Sequence, residues 1–311
     1  MEQYKQMIEH IMVNGTPKVD RTGVGTISTF GYSARFNLSE GFPLLSLKKT
    51  SFRIIAEELL WFVSGSDMLR DLLKKDVHIW DEWGFKKWYD SEEYAKEERP
   101  KFSGLGAKVD KEEKDSYNKQ MKYYLDKILT DDNFSNKYGC LNRIYGKQWR
   151  NWNNSIDQLQ NVIDRIKKNP DDRRLIVSAW NTSEIDNMAL PPCHCFFQFY
   201  VNNGKLSCQM YQRSVDTFLG LPYNIASYSL LTHMIAHVCG LEVGEFIHTS
   251  GDLHLYNNQI DGAKKMLGRE IVDMPKLKIK RKIDNINDFT IDDFELVGYN
   301  PHPPIKVEVA V

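Results

Sequence analysis

The sequence predicts a single α+β domain in which a large mixed, twisted β-sheet is covered by helices. Helical and strand patterns are mixed along the chain rather than alternating regularly, which favours α+β over a doubly wound fold. The 311 residues are 41% hydrophobic and 12% aromatic, enough for a sizeable core. We therefore expect one domain over residues 1–311, with a charged, partly helical insertion at about residues 84–137.

The first part of the chain predicts helices at both ends of a strand region. Apolar residues at helical spacing predict a helix at residues 4–12, which Gly15 can end. Residues 27–32 and 34–36 are typical of strands. Residues 52–63 are apolar almost all round, so we expect a buried helix there.

The second part predicts more helices and a hairpin. Amphipathic patterns predict helices at residues 117–129, within the insertion, and at residues 156–168. A strand is expected at residues 175–180. A hairpin is expected from strands 196–201 and 206–211, which flank Asn202-Asn203-Gly204-Lys205. A long helix at residues 224–239 ends at Gly240.

Composition excludes several classes of protein. The 41 basic and 42 acidic residues give a formal charge of −1, which provides no general attraction to nucleic acid or acidic membranes. No apolar run approaches the roughly 20 residues that span a bilayer, and we expect no signal peptide because the first residues lack an apolar segment. The five cysteines are odd in number and sparse, so we expect reduced thiols in a cytoplasmic protein.

The tetrapeptide Pro191-Pro192-Cys193-His194 is the strongest candidate for a reactive site. Two prolines place the thiol in a rigid loop at the start of a strand, and Arg213-Ser214 follow twenty residues later. A nearby cation stabilises a thiolate, so Cys193 is a candidate nucleophile. The alternative is a small buried hydrophobic residue, as most free cysteines are. We favour Arg213 over His194 as its partner, because adjacent strand side chains point apart.

Glu58 is a candidate general acid or base. Its neighbours one helical turn away are Ile54, Ile55, Trp61 and Phe62. A carboxylate among such side chains has a raised pKa, which suits proton transfer near neutral pH. The alternative is a carboxylate that points to solvent, as we expect for Glu57 beside Arg53.

Other polar residues suggest an anion site. Arg21 lies in a glycine-containing loop, Arg173-Arg174 precede a strand, and Arg213 follows another, so a phosphate is a candidate ligand. Asn224 can read a base edge, or it can cap the helix that follows. Period-two geometry places His254 and Tyr256 on one face of a strand.

Two patterns resemble metal sites, and we expect neither to bind a metal. The ligands in Cys193-His194-Cys195 are adjacent rather than at zinc-site spacing. His233 and His237 lie four apart, but Met234 stands where a zinc protease has glutamate.

Many motifs in a fixed order identify a family. They are Asp20-Arg21-Thr22-Gly23, Glu58-Leu59-Leu60-Trp61-Phe62, Ile79-Trp80-Asp81-Glu82-Trp83, Tyr145-Gly146-Lys147-Gln148-Trp149-Arg150, Pro191-Pro192-Cys193-His194, Tyr211-Gln212-Arg213-Ser214, and Gly251-Asp252-Leu253-His254-Leu255-Tyr256. With these motifs the chain resembles the thymidylate synthase family over essentially its whole length. The charged insertion resembles that of the longer bacterial members.

The resemblance implies reductive methylation of dUMP to dTMP with 5,10-methylenetetrahydrofolate, which leaves dihydrofolate. Cys193 is implied to attack C6 of the uracil ring and so make C5 nucleophilic. Glu58 is implied to assist proton transfers through water, and Tyr145 to help remove the C5 proton. Asn224 and Arg213 complete the implied catalytic set.

The resemblance also implies the binding residues and a homodimer formed through the sheet. The dUMP set is Arg21, Arg173, Arg174, Gln212, Arg213, Ser214, Asp216, Asn224, His254 and Tyr256. Arg173 and Arg174 are implied to reach the phosphate from the other subunit. The folate set is Lys48, Ile79, Trp80, Asp216 and Val311, and no metal is implied.

Departures from the family pattern occur at Ser66-Asp67-Met68, Asn142 and Gln259, and none removes a catalytic residue. One alternative function is a deoxyuridylate hydroxymethylase of the same superfamily, in which water replaces hydride. Asn224 argues against a cytosine-using enzyme, and Trp80 with the apolar Val311 favours a dry site for hydride. The other alternative is an RNA-binding translational regulator, with nucleic acid otherwise only a secondary partner. The near-zero charge weighs against it as the main role.

Overall fold

The structure is a computed structural model that describes residues 1–20 and 23–307. Its helices are α1 (Glu2–Asn14), α2 (Phe52–Ser64), α3 (Leu69–Leu73), α4 (Asp81–Tyr89), α5 (Glu92–Lys96), α6 (Lys114–Thr130), α7 (Asp132–Tyr138), α8 (Tyr145–Arg150), α9 (Gln158–Lys168), α10 (Gly220–Cys239) and α11 (Ile260–Leu267). Its strands are β1 (Thr16–Lys18), β2 (Thr26–Asn37), β3 (Ile176–Ser178), β4 (His194–Asn202), β5 (Lys205–Asp216), β6 (Glu242–Tyr256), β7 (Lys276–Ile279) and β8 (Phe294–Val297).

A mixed sheet with the strand order β1-β2-β6-β5-β4-β3 forms the centre of the fold. Neighbouring strands are antiparallel except β5 and β6, which run parallel. The parallel pair is joined by α10, which packs on both of its strands. Strands β7 and β8 form a separate antiparallel pair. Helices and a large mixed sheet confirm the predicted α+β class.

The two faces of this sheet differ in burial because side chains alternate along each strand. On the inner face, Phe197, Phe199, Met210 and Phe246 are at most 1% exposed and belong to the hydrophobic core. On the outer face, Phe196 and Tyr200 are 43% and 63% exposed. The outer face is therefore an exposed surface that carries large apolar side chains.

Helix α10 begins at Gly220, four residues before the predicted start. The predicted start at Asn224 was wrong, because Pro222 lies within the first turn of the helix. Proline is tolerated in the first turn of a helix, where its missing N–H has no intrahelical partner. Asn224 consequently lies inside the helix, and the residue at the N-cap is Leu219. The N-cap interpretation of Asn224 is thereby excluded.

Two further boundaries differ from the sequence prediction. Strand β2 is continuous across the interruption predicted at residue 33, and it pairs with β6 on both sides of Gly31, whose φ is +83°. Helix α9 begins at Gln158 because Asp157 caps it, accepting a hydrogen bond from the Gln160 amide at 2.9 Å.

The insertion forms helices around buried aromatic side chains. Trp88, Tyr94 and Tyr124 are at most 1% exposed and belong to the same hydrophobic cluster as the sheet residues. The Tyr124 hydroxyl donates to the Tyr138 carbonyl oxygen at 3.0 Å, which ties α6 to the end of α7. Helices α5, α6 and α7 of the insertion pack against α4. In the described part of the chain, no helix is both long and apolar enough to cross a membrane.

Candidate active site

Cys193 lies immediately before β4, in a loop that β5 holds from the side. Its carbonyl oxygen accepts from the Arg213 amide at 2.8 Å, and its own amide donates to the Tyr145 hydroxyl at 2.8 Å. The Arg213 guanidinium is fixed by two proline carbonyls, because Nε donates to Pro192 at 2.8 Å and Nη2 donates to Pro191 at 2.9 Å. Nη2 then lies 4.0 Å from the Cys193 Sγ. A cation this close to a thiol is typical of reactive cysteines.

His194 points away from the thiol into the core. Its Nδ1 lies 2.8 Å from the Tyr228 hydroxyl, and its ring stacks on Tyr145 with centroids 4.0 Å apart. Burial lowers the pKa of His194 to about 3, so the imidazole is neutral. His194 therefore supplies no positive charge beside Cys193.

Glu58 is held on α2, whose first turn is capped by the Ser51 hydroxyl and whose last residue precedes Gly65 at φ +74°. The Glu58 Oε1 accepts a hydrogen bond from the Trp80 Nε1 at 2.7 Å. Burial raises the pKa of Glu58 to about 7, and the bond from Trp80 opposes that rise. Near neutral pH this carboxyl group can donate or accept a proton.

Tyr145 begins α8 and lies between Glu58 and Cys193. It is 2% exposed, and its ring packs against Phe62 at 5.0 Å and Trp80 at 6.2 Å between centroids. Burial raises the pKa of Tyr145 well above its ordinary value, so the phenol keeps its proton. The hydroxyl is therefore fixed by packing at the backbone of Cys193.

Strand β5 and helix α10 each supply a side-chain amide, from Gln212 and Asn224. The Gln212 Nε2 donates to the Asn224 Oδ1 at 3.1 Å, and the Gln212 Oε1 lies 3.1 Å from the His248 Nε2. Burial lowers the pKa of His248 to about 3, so it is a neutral ring. These contacts fix the orientation of the Asn224 amide without using a charge.

The parallel pairing of β5 with β6 brings two further polar pairs together. Ser214 pairs with Asp252, and Asp216 pairs with His254. The His254 Nδ1 lies 3.0 Å from the Asp252 Oδ1, and its ring centroid lies 5.2 Å from that of Tyr256. His254 and Tyr256 thus share one face, as period-two geometry predicts.

These side chains surround one cavity of about 590 Å³. Of the residues that the sequence predicted, it is lined by Glu58, Ile79, Trp80, Tyr145, Cys193, Gln212, Ser214, Asp216, Asn224, His254 and Tyr256. A pocket of this size, with an apolar wall and a few converging polar groups, is typical of a small-molecule active site.

Comparison with known proteins gives one result over the whole chain. The family model described as "Thymidylate synthase" matches residues 2–311. A thymidylate synthase of Listeria monocytogenes serotype 4a (strain HCC23) is 53% identical over 315 residues, covering 100% of both chains. A thymidylate synthase of Listeria innocua serovar 6a (strain ATCC BAA-680 / CLIP 11262) is also 53% identical over 315 residues, with the same coverage.

The chain belongs to the thymidylate synthase family. The predicted family membership, and with it the prediction of an enzyme, is confirmed.

Several predicted site residues lie away from the thymidylate synthase cavity. Lys48 is buried, and its Nζ donates to the Phe218 carbonyl oxygen at 2.6 Å, while burial lowers the pKa of Lys48 to about 8. Arg174 is 80% exposed, and its Nε pairs with the Asp172 Oδ1 at 3.0 Å. Arg173 accepts at its carbonyl oxygen from Gln198, a residue of the outer sheet face. Arg21 and Val311 lie outside the described residues.

The sequence prediction missed some residues that line the cavity. They are His78, Glu82, Trp83, Leu190, His194 and Gly220. Glu82 and Trp83 stood within the motif 79–83, so their place beside Ile79 and Trp80 could have identified them. Leu190 carried no signal of its own, since only the approach of its loop to α4 makes it part of the wall.

Gln259, one departure from the family pattern, has a defined structural role. Its Nε2 donates to the Asp216 Oδ2 at 3.2 Å, and its Oε1 accepts from the Tyr256 amide at 3.2 Å. The Asp216 Oδ1 accepts from the amides of Phe218 and Leu219 at 3.1 and 2.9 Å. Gln259 therefore fixes two cavity residues from outside. In the described part of the chain, no group of three or more His, Cys, Asp or Glu side chains is placed to hold a metal ion.

Proposed function

We propose that the chain catalyses the reductive methylation of dUMP to dTMP with 5,10-methylenetetrahydrofolate, in a single domain over residues 1–311. The observation that carries the proposal is the convergence of Cys193, Glu58, Tyr145 and Asn224 on one cavity, with Arg213 4.0 Å from the thiol. Family membership supports the same reaction class.

Chemistry begins at Cys193. The thiolate Sγ adds to C6 of the uracil ring, and the electron pair displaced from the C5–C6 double bond makes C5 nucleophilic. C5 then bonds to the one-carbon unit of the folate, whose bond to the folate N10 has broken. Tyr145 assists departure of the C5 proton, and the electron pair left on C5 expels the folate N5, which leaves an exocyclic methylene on C5. Hydride from the folate reduces the exocyclic methylene, Cys193 is expelled, and dTMP and dihydrofolate result.

Glu58 moves protons during these steps. With its pKa raised to about 7, both protonation states are populated at the pH where the enzyme works. Trp80 links this acid to the folate side of the cavity, because its indole donates to Glu58 while its ring forms part of the apolar wall. Ile79, Trp83 and Leu190 extend that wall, which suits the flat rings of a folate.

Polar residues orient the nucleotide. We assign the uracil edge to Asn224, the ribose hydroxyl to His254 and Tyr256, and the phosphate to Arg213 and Ser214. Arginine carries five N–H donors, so the two bonds to proline carbonyls leave donors for a phosphate. Arg21, outside the described residues, and the Gln212 and Asp216 side chains complete the proposed dUMP set.

The proposal includes a homodimer that covers the outer sheet face. The outer face carries the exposed side chains of Phe196 and Tyr200 and an open cavity of about 620 Å³. Gln198, on the same face, donates to the carbonyl oxygen of Arg173. A second copy on this face would bring Arg173 and Arg174 toward the partner's phosphate site. We expect Tyr200→Asp to sediment as a monomer and to lose turnover; a fully active monomer would contradict the assignment.

The proposal also assigns Lys48 and Val311 to the folate side of the cavity. It further places the protein in the cytoplasm. All five cysteines lie in the described part of the chain and are free thiols, which supports a reducing compartment.

One experiment tests the reaction. The protein is incubated with dUMP and methylenetetrahydrofolate, and both products are identified. Dihydrofolate with dTMP is expected; tetrahydrofolate with hydroxymethyl-dUMP would establish the hydroxymethylase instead, and no turnover would favour a binding protein. Cys193→Ala is expected to abolish turnover while dUMP still binds, and substantial residual activity would refute the nucleophile assignment.

A further inference from the structure

A carboxylate lies against one of the two arginines assigned to the partner's phosphate site. Asp172 follows the end of α9 and precedes Arg173-Arg174, in the segment that joins α9 to β3. Its side chain is only 6% exposed. Aspartate is rarely this buried unless it is paired, so its contacts show what the carboxylate does.

Both oxygens of the Asp172 carboxylate have partners. Oδ1 accepts from the Arg174 amide at 2.9 Å and from the Arg174 Nε at 3.0 Å. Oδ2 accepts from the Arg165 Nη1 at 3.0 Å. The bonds from Arg174, the amide first and then the guanidinium, lower the pKa of Asp172 to about 2, so the group is a carboxylate at neutral pH.

Asp172 is itself fixed to the body of the fold. Its amide donates to the carbonyl oxygen of Asn169, the residue that ends α9, at 3.1 Å. Arg165, its other partner, lies in the last turn of α9. Beyond the arginines, the Leu175 carbonyl oxygen accepts from the Phe199 amide of β4 at 2.9 Å. The carboxylate therefore holds Arg174 from a segment that is tied to a helix on one side and to the sheet on the other.

Arg174 is a side chain that gains from such a contact. It is 80% exposed, and a long exposed side chain loses rotamer freedom when a ligand immobilises it. The bond from Nε to Asp172 removes part of that freedom before the ligand binds, so less is lost on binding.

The contact leaves the donors that suit a phosphate. A guanidinium has five N–H donors in a planar fork, and Asp172 accepts from Nε. The terminal nitrogens Nη1 and Nη2 of Arg174 then form a pair that can donate two parallel hydrogen bonds to two phosphate oxygens.

We propose that Asp172 is a positioning residue that directs Arg174 toward the dUMP phosphate bound in the partner subunit. This inference rests on the proposed function, because it requires dUMP as the substrate and a homodimer in which Arg174 serves the other site. The charge of Asp172 by itself would repel a phosphate. Because the carboxylate is paired with two arginines, we expect the positioning effect to exceed that repulsion.

Steady-state kinetics of the intact homodimer test the proposal. Asp172→Ala is expected to raise KM for dUMP about three- to tenfold while kcat stays within about twofold, since a binding contact is weakened and no chemical step is changed. Asp172→Asn keeps an oxygen that can accept from Nε, and it should recover most of the lost affinity. Asp171→Ala, at the exposed acid next in the chain, is the matched control and should leave KM unchanged.

A double-mutant cycle shows whether Asp172 acts through Arg174. Arg174→Ala should raise KM for dUMP, and Asp172→Ala added to it should raise KM no further. Deoxyuridine, which lacks the phosphate, should inhibit the wild type and Asp172→Ala with the same Ki. A lower KM in Asp172→Ala, the same additional effect in both backgrounds, or an equal loss of affinity for deoxyuridine would overturn the proposal.

Tagged heterodimers with one working thiol test the action across the interface. When Asp172→Ala and Cys193→Ala share a chain, the working site receives Arg174 from the altered chain, and KM should rise. When Asp172→Ala lies in the chain that keeps Cys193, KM should equal that of a heterodimer carrying Cys193→Ala alone. The reverse pattern would overturn the inference and leave the proposed reaction standing. Absence of dUMP turnover by the wild type would instead refute the proposed function, and the inference with it.

Discussion

The raised pKa of Glu58 predicts that the residue destabilises the folded protein at the pH where it is useful. Glu58→Gln removes the titrating group and keeps an oxygen that can accept from the Trp80 Nε1, the existing 2.7 Å bond. We therefore expect this variant to lose turnover but to unfold less readily than the wild type above neutral pH.

The direction follows from proton binding. Glu58 has an ordinary pKa of 4.5 in the unfolded chain, and burial raises it to about 7 in the folded protein. Between these values the folded state holds a proton that the unfolded state has released, so wild-type stability falls as pH rises from about 4.5 to about 7. Above about pH 7 the wild type has lost the whole of this stability difference, and its stability no longer changes through Glu58.

The size of the effect comes from the same two values. The difference between 4.5 and about 7, at about 1.4 kcal/mol per pH unit, gives about 3–4 kcal/mol. Because Glu58 lines an open cavity that admits water, we expect a measured value of about 2–3 kcal/mol.

Urea unfolding at pH 4.5 and pH 8, at one fixed protein concentration, measures the difference. Glu58→Gln should match the wild type at pH 4.5 and exceed it by about 2–3 kcal/mol at pH 8. Glu92→Gln, which removes an exposed carboxylate, should show no such growth with pH. A stability difference that is equal at both pH values, or a less stable Glu58→Gln at pH 8, would refute the reasoning.

Two further predictions concern residues that act through others. Trp80→Phe removes the bond that favours the charged form of Glu58, so the pKa of Glu58 should rise above about 7 by about one to two pH units. Carbon-13 NMR of the carboxyl group would detect this, and an unchanged titration would contradict it. Asp252→Ala frees His254, so KM for dUMP should rise about tenfold with little change in kcat, while Asp252→Asn, which keeps an acceptor, restores it. Lys18→Met breaks the 2.6 Å ion pair between Lys18 and the Asp252 Oδ2 and should leave KM unchanged. Equal effects of Asp252→Ala and Lys18→Met would argue against a role through His254.

Local patterns allowed much of the fold to be predicted from the sequence. Helix α2 and the hairpin of β4 and β5 were predicted close to their observed ranges, because each follows a strong period and ends at a clear turn signal. The start of α10 was predicted four residues too late, because Pro222 is compatible with both a loop and a first helical turn. Just before the helix, the Asp216 Oδ1 accepts from the amides of Phe218 and Leu219, a contact that no sequence pattern indicated.

The chemistry near Cys193 was predictable in part. A cysteine after two prolines, and an arginine twenty residues later, suggested a thiol beside a cation, and the structure places the thiol and the guanidinium 4.0 Å apart. The acceptors that fix the guanidinium are backbone carbonyls of Pro191 and Pro192. Backbone groups are the same at every position in a sequence, so no residue pattern could have indicated them.

Glu57 and Glu58 show how much about burial can be predicted from the residue pattern of a single helix. Consecutive helical residues point about 100° apart, so two adjacent acids on a helix that is apolar almost all round cannot both reach solvent on one narrow face. The sequence singled out Glu58 as the candidate buried acid and left Glu57 as the one expected to face solvent. The expectation that Glu57 points to solvent beside Arg53 is wrong, because this residue is only 8% exposed. The sequence could not show this, since residues 289–291, more than two hundred positions away, line the same cleft as Glu57.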